Sequence, residues 1–159
     1  GSGFFARALP VLDELRQYHL TVALGVLWRS TVTYLYHSHP DTPDESPVAS
    51  RHLFPAFHSS IGLLLLAELP EDEVVALYQA KDENSFASIA ELRQELAKIR
   101  RHGYALLARN GQFTMAVKVG EPASAALALS GWWENHTVTT YLPILQRSAA
   151  AIAQAQVPS

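Results

Sequence analysis

The stretch Ser88-Ile89-Ala90-Glu91-Leu92-Arg93-Gln94-Glu95-Leu96-Ala97-Lys98-Ile99-Arg100-Arg101-His102-Gly103-Tyr104-Ala105 decides the fold. Ile89, Leu92, Leu96 and Ile99 recur at three and four residues, which lines one face of a helix with apolar side chains. Gly103 stands just past the last of them, where a left-handed residue ends many helices. The pattern then changes to short β-like runs, Tyr104 to Ala108, Phe113 to Val119 and Ala125 to Leu129. Asn110-Gly111 between the first two is a strong two-residue hairpin signal.

Upstream of this helix, Pro70 opens another, with Glu71, Asp72 and Glu73 in the first turn, where negative charge suits the helix dipole. Phe57 to Leu66 is apolar nearly all round, as expected of a helix buried on more than one side. Pro40 to Pro47 holds Pro40, Pro43 and Pro47 and is expected to be a loop. Thr21 to Trp28 and Thr31 to His37 are rich in strand-forming residues and are separated by Arg29-Ser30, which suggests a hairpin. Simple alternation in the second run puts Val32, Tyr34 and Tyr36 on one face and Leu35 and His37 on the other. Phe5, Leu9, Leu12 and Leu15 mark a first helix within Phe4 to Tyr18, which Pro10 is expected to start or kink. Tyr141 to Ala155, with Leu142, Leu145, Ala149 and Ile152 on one face, makes a closing helix. The order is helix, two or three strands, three helices, three strands, helix. Hairpin-linked strands become antiparallel neighbours and the helices must cover the sheet, so the fold class is α+β.

At 159 residues the chain suits one domain that buries roughly 70% of its unfolded surface without metal or disulfide staples. With no cysteine, thiol catalysis, disulfides and sulfur-ligated zinc are excluded, and a reducing cytoplasm is the expected setting. Twelve basic and fifteen acidic residues give a net charge of -3, so this segment by itself should bind DNA poorly. The apolar stretch Ile61 to Ala67 is far below the roughly 20 residues that span a bilayer. Gly1-Ser2-Gly3 reads as a cloning remnant, leaving residues 4–156 as the expected domain.

The order and wording of these segments resemble the effector-binding domain of IclR-type bacterial transcription regulators. Phe54-Pro55-Ala56-Phe57-His58-Ser59-Ser60-Ile61-Gly62, followed by Leu65-Leu66-Ala67-Glu68-Leu69-Pro70-Glu71, is similar to the family's proline, small polar segment, glycine and "LLA" before an acidic helix start. Glu91-Leu92-Arg93 through Gly103-Tyr104-Ala105 resembles its "EL..EL..IR..GYA". Ala128-Leu129-Ser130-Gly131 and Tyr141 to Ala153 resemble its last strand and closing helix. The resemblance implies a GAF-like fold, an antiparallel sheet of about six strands flanked by helices on both sides around a small-molecule cavity. It also implies an upstream winged helix-turn-helix domain, through which operator DNA is bound, and assembly into dimers or tetramers.

By position, the resemblance assigns effector contacts to Ser60, Ile61, Leu107, Thr114, Ala128 and Ser130. Family members that bind small oxo-acids often have an acidic residue where this chain has Leu107, and can have serine where it has Ala128. Thr114 and Ser130 keep hydroxyls that, with backbone amides, suffice for one carboxylate. Phe57 and Met115, with Trp28 or Tyr34, are expected to supply apolar area. The expected effector is therefore aromatic or largely apolar. Phe57 and His58 stand where the family more usually has histidine and then a small residue.

Other readings carry less. His37, His39, His52 and His58 match no zinc spacing, so no metal and no cofactor are expected. His58 with Ser59 or Ser60 suggests a small hydrolase, but residues adjacent on a helix start do not face one another. A ligand-free dimerisation module is the remaining alternative.

Overall fold

The computed structural model describes residues 2–41, 53–80, 86 and 88–154. Its helices are α1 (Ser2–Leu15), α2 (Ser60–Leu66), α3 (Glu71–Gln79), α4 (Ile89–His102) and α5 (Thr137–Gln154). Its strands are β1 (Thr21–Trp28), β2 (Thr31–Ser38), β3 (Leu53–Pro55), β4 (Ala105–Arg109), β5 (Gln112–Val119) and β6 (Ala125–Trp132). They form one antiparallel sheet in the order β3-β2-β1-β6-β5-β4. α2, α3 and α4 pack over one face and α1 and α5 over the other, the expected GAF-like arrangement.

The local signals explain most of these boundaries. The Ser88 hydroxyl accepts from the Glu91 amide and caps α4, and Gly103 at φ 79 closes it. Asn110 and Gly111 both take positive φ, 56 and 76, which matches the twist of the β4–β5 hairpin. In the β1–β2 turn Arg29 adopts φ 57 although it carries a side chain.

Four expectations change. The helix over Phe57 to Leu66 is two elements: a 3-10 turn at Ala56–His58 and then α2, which starts only after Ser59, its N-cap. α1 starts at Ser2 rather than near Pro10, which lies inside the helix at an exposed position. α5 begins four residues before Tyr141, with Thr137 buried and its Oγ1 accepting from the Glu134 amide at 2.8 Å. Finally, β2 shifts register opposite Leu24 and Gly25, so that Leu24 pairs with Tyr36 but Gly25 with Tyr34. One extra residue flips every side chain beyond it. Tyr34 and His37 therefore share the α2 face, while Tyr36 turns to the opposite core. Most of the expected Pro40 to Pro47 loop, and His52, lie outside the described residues. Among the described residues no helix is long and apolar enough to cross a membrane.

The two faces of the sheet differ in side-chain size. Toward α1 and α5 it presents Val22, Leu24, Met115, Val117, Leu127 and Leu129, all buried. Full burial of each such side chain contributes about 1.5–3 kcal/mol. Toward α2 it presents a row of alanines, Ala105, Ala116, Ala128 and Ala23, paired in register across four strands. This flat row lets α2 lie close to the sheet. On the other side of α2, a Cβ at Gly62 would fall on the Ala56 backbone, 2.5 Å from its Cα.

Two predictions follow from this packing. Gly62→Ala forces apart backbone that cannot yield and should cost about 3 kcal/mol. In a chain of this size that lowers Tm by about 6–12 °C, measurable by circular dichroism. On the opposite face the Tyr36 hydroxyl donates to Asp13 Oδ1 at 2.8 Å. Burial, then the hydrogen bond and charge of Asp13, push the phenol up to about 12 from an ordinary 10.0. The unfolded chain ionises first, so this contribution is intact below pH 10 and is lost between about pH 10 and 12. Urea titrations across that window should show a shallower loss of stability for Tyr36→Phe than for the parent chain.

Candidate functional site

One step along the strands from the alanine row lies a second row in register: Leu107 on β4, Thr114 on β5, Ser130 on β6 and Thr21 on β1. α2 no longer covers this row. Between it and the start of α2 is a cleft of about 120 Å³. Ser60 and Ile61 reach it from α2, Ala128 from the floor, and Tyr34 and His37 from β2. Phe54, His58 and Ser59 complete the wall with Ala23 and Thr21. Ser60, Ile61, Leu107, Thr114, Ala128 and Ser130, from α2, β4, β5 and β6, thus line one cavity.

Its polar groups are specifically arranged. Thr114 and Ser130 are cross-strand partners, and the Ser130 hydroxyl donates to Thr114 Oγ1 at 3.1 Å. That leaves the Thr114 proton available to the cleft. Ser59 is occupied, accepting from the Gly62 amide at 3.2 Å. Burial raises the Tyr34 phenol above its ordinary pKa, opposed by a hydrogen bond with Ser59. The Tyr34 ring also meets the His37 imidazole at 5.2 Å. Ser60 differs from all of these: the residue is 1% exposed and, among the described residues, its Oγ has no hydrogen-bond partner. A buried hydroxyl left unpaired costs about 1–3 kcal/mol, so this atom is a natural partner for a bound polar group.

Two expected contacts lie elsewhere. Met115 is fully buried on the α1 and α5 side, because strand alternation sends it opposite to Thr114. Phe57 is buried in the 3-10 turn and packs edge-on against Tyr78 at 5.2 Å, filling core beneath α3 rather than the cleft. Trp28 is 63% exposed, with the Arg29 guanidinium 4.5 Å over its ring. Conversely, Thr21, His37 and His58 reach the cleft although periodicity did not select them. The signal for Thr21 is register with Ser130; for His37 it is the β2 bulge, which no residue pattern announces.

The geometry also bears on catalysis and metals. Ser59 is engaged as a helix cap and Ser60 Oγ meets no imidazole, so neither serine has a general base in place. Among the described residues no three His, Cys, Asp or Glu side chains converge as a metal site would need. The contrast between the unpaired Ser60 hydroxyl and the hydrogen-bonded Thr114 hydroxyl is testable by urea denaturation. Ser60→Ala removes an unpaired buried oxygen and should leave stability unchanged or raise it by up to about 1 kcal/mol. Thr114→Val strips Ser130 of its acceptor and should lower stability by about 1 kcal/mol.

The pattern of the bacterial transcriptional regulator IclR C-terminal family matches residues 2–119. A search of curated protein sequences finds no match. Among solved structures, the C-terminal domain of the E. coli transcriptional regulator KdgR is similar with a TM-score of 0.81 at 21% identity, over 96% of this chain and 98% of that one. A transcriptional regulator from Rhodococcus sp. RHA1 has a TM-score of 0.79 at 22% identity over 93% of this chain, which spans 66% of that protein. An IclR homologue from Microbacterium hydrocarbonoxydans, solved in complex with 4-hydroxybenzoate, has a TM-score of 0.80 at 22% identity over 96% of this chain and 67% of its own. The family is one of regulators rather than enzymes. With its six-stranded sheet, its small-residue platform and a family match over most of its length, the chain belongs to the C-terminal domain family of IclR-type bacterial transcriptional regulators.

Proposed function

We propose that this chain is the effector-sensing part of a cytoplasmic transcription regulator, with residues 4–156 as one domain. The observation that carries the reading is the cleft, which is lined both by Ser60 with its buried, unpartnered hydroxyl and by Thr114 with its available proton. Such a site is built to receive a small molecule that brings its own polar atoms. Operator DNA is bound through an upstream winged helix-turn-helix domain, consistent with the net charge of -3 on this segment. Two copies or four assemble, and effector binding favours one arrangement over another, with a coupling of about 1–3 kcal/mol to operator affinity.

For the effector we infer an aromatic molecule with polar substituents. Leu107, Ile61, Ala128 and Phe54 offer apolar surface, while the unpartnered Ser60 hydroxyl and the Thr114 proton call for hydrogen-bonding groups on the ligand. The 4-hydroxybenzoate held by the Microbacterium homologue is of this chemical type. The rival reading, a ligand-free dimerisation module, takes support from the cleft's 120 Å³, below the roughly 300 Å³ usual for ligand pockets. Against it stands a larger recess of about 620 Å³ that shares the cleft's walls at Thr21, Leu107, Thr114 and Ser130.

A thermal-shift panel of monocyclic aromatic acids, phenols and their amides separates these readings. A ligand at one hundred times its Kd should stabilise the chain by about 2.7 kcal/mol, raising Tm by about 5–10 °C. Failure of every compound, together with sequence-specific DNA binding by this chain by itself, would overturn the sensor reading.

A further inference from the structure

Beyond the hydroxyl row, each strand carries one more residue on the same face: Arg109 on β4, Gln112 on β5 and Trp132 on β6. These three are again paired in register, Arg109 with Gln112 and Gln112 with Trp132. They line an outer recess of about 620 Å³. Thr21, His58, Leu107, Thr114 and Ser130 line both spaces, so recess and cleft are continuous. Two residues of strand separate the rows, which is roughly 7 Å, about the length of a substituted benzene ring.

The chemistry changes sharply over that distance. Among the described residues the inner cleft has hydroxyls and imidazoles but no lysine or arginine, and none of them offers a cation to a carboxylate buried there. In the outer row Arg109 is exposed, and it makes no ion pair among the described residues. Its planar fork suits two carboxylate oxygens, and the Gln112 amide beside it adds a donor. Trp132 is 71% exposed, a large flat apolar surface held at the same edge. The acid that lines the recess, Asp41, lies beside His39, its backbone amide donating to His39 Nδ1 at 3.2 Å and Oδ2 3.9 Å away.

We propose that Arg109, Gln112 and Trp132 form a second subsite that reads a carboxylate at the outer end of an elongated aromatic effector, whose neutral polar end lies inward between Ser60 and Thr114. This rests on the effector-sensing reading of the cleft and adds to it a ligand polarity: neutral end in, anion out.

Isothermal titration of 4-hydroxycinnamate and its neutral isostere 4-hydroxycinnamamide tests it, with circular dichroism confirming that each variant is folded. The parent chain should bind the acid at least tenfold more tightly than the amide. Arg109→Gln should bring the affinity of the acid to within about twofold of the amide's. Trp132→Ala should weaken both compounds alike, by three- to tenfold. If Arg109→Gln keeps the tenfold preference while Thr114→Val weakens binding, the carboxylate lies in the inner cleft; the subsite is then refuted and the sensor reading stands. If neither compound binds the parent chain, or Thr114→Val leaves both affinities unchanged, the subsite is refuted as well, and the sensor reading is decided by the thermal-shift panel and the DNA-binding assay.

Discussion

The seat of α2 on the alanine row is the contact on which the rest of the structure depends. Ala23, Ala105, Ala116 and Ala128 project only one carbon each, so the helix descends onto the sheet where larger residues would hold it off. On its other side Gly62 lets the Ala56 turn press equally close. α2 is thus clamped between two surfaces that allow no bulk, and its height above the sheet is set by backbone, the least deformable part of the molecule. α2 has seven residues and so spans only about 10 Å. The strands beneath it run further, and the uncovered row beyond its first residue becomes the wall of a cavity. The cleft is a consequence of helix length and platform size together.

The same sheet divides labour between its faces. Leucines, valines and Met115 interlock with α1 and α5 on one side. The small residues on the other side contribute less apolar area but fix a site. Because consecutive residues of β5 and β6 serve opposite faces, the site residues are held by strands whose alternate side chains are locked in the large-residue core. Ser60 is the exception, since it belongs to α2. A ligand hydrogen-bonded to both Ser60 and Thr114 would tie helix to sheet, and only a contact that differs between two placements of α2 can shift their populations.

Legibility in the sequence followed the range of the interaction. α4, its Gly103 stop and the Asn110-Gly111 hairpin depend on neighbours a few residues away, and all are visible in the residue pattern. Boundaries decided by tertiary contact were not. The run Thr137 to Thr140 is β-branched or hydroxylated and reads poorly as helix, yet it opens α5 because Thr137 is buried and caps the turn. Ser59 ends one element and starts another inside what reads as a single apolar run. Met115 was a different kind of error: strict alternation already forbids it to share a face with Thr114, so strand geometry alone excluded the pair.

The polarity of the cleft shows why position-by-position comparison with a family misjudges a binding site. Leu107 and Ala128 replace groups that are polar in some relatives, which by itself points to a more apolar ligand. The β2 register shift acts in the other direction, turning Tyr34 and His37 into the same space, and pairing with Ser130 brings Thr21. The losses are substitutions and can be read directly; the gains come from backbone register and cannot. Their balance decides the chemistry. A wholly apolar occupant would leave the Ser60 hydroxyl without a partner, at about 1–3 kcal/mol. That penalty is comparable to the benefit of burying an additional apolar side-chain-sized group. Apolar area alone therefore cannot secure an occupant here; its inner end must accept hydrogen bonds.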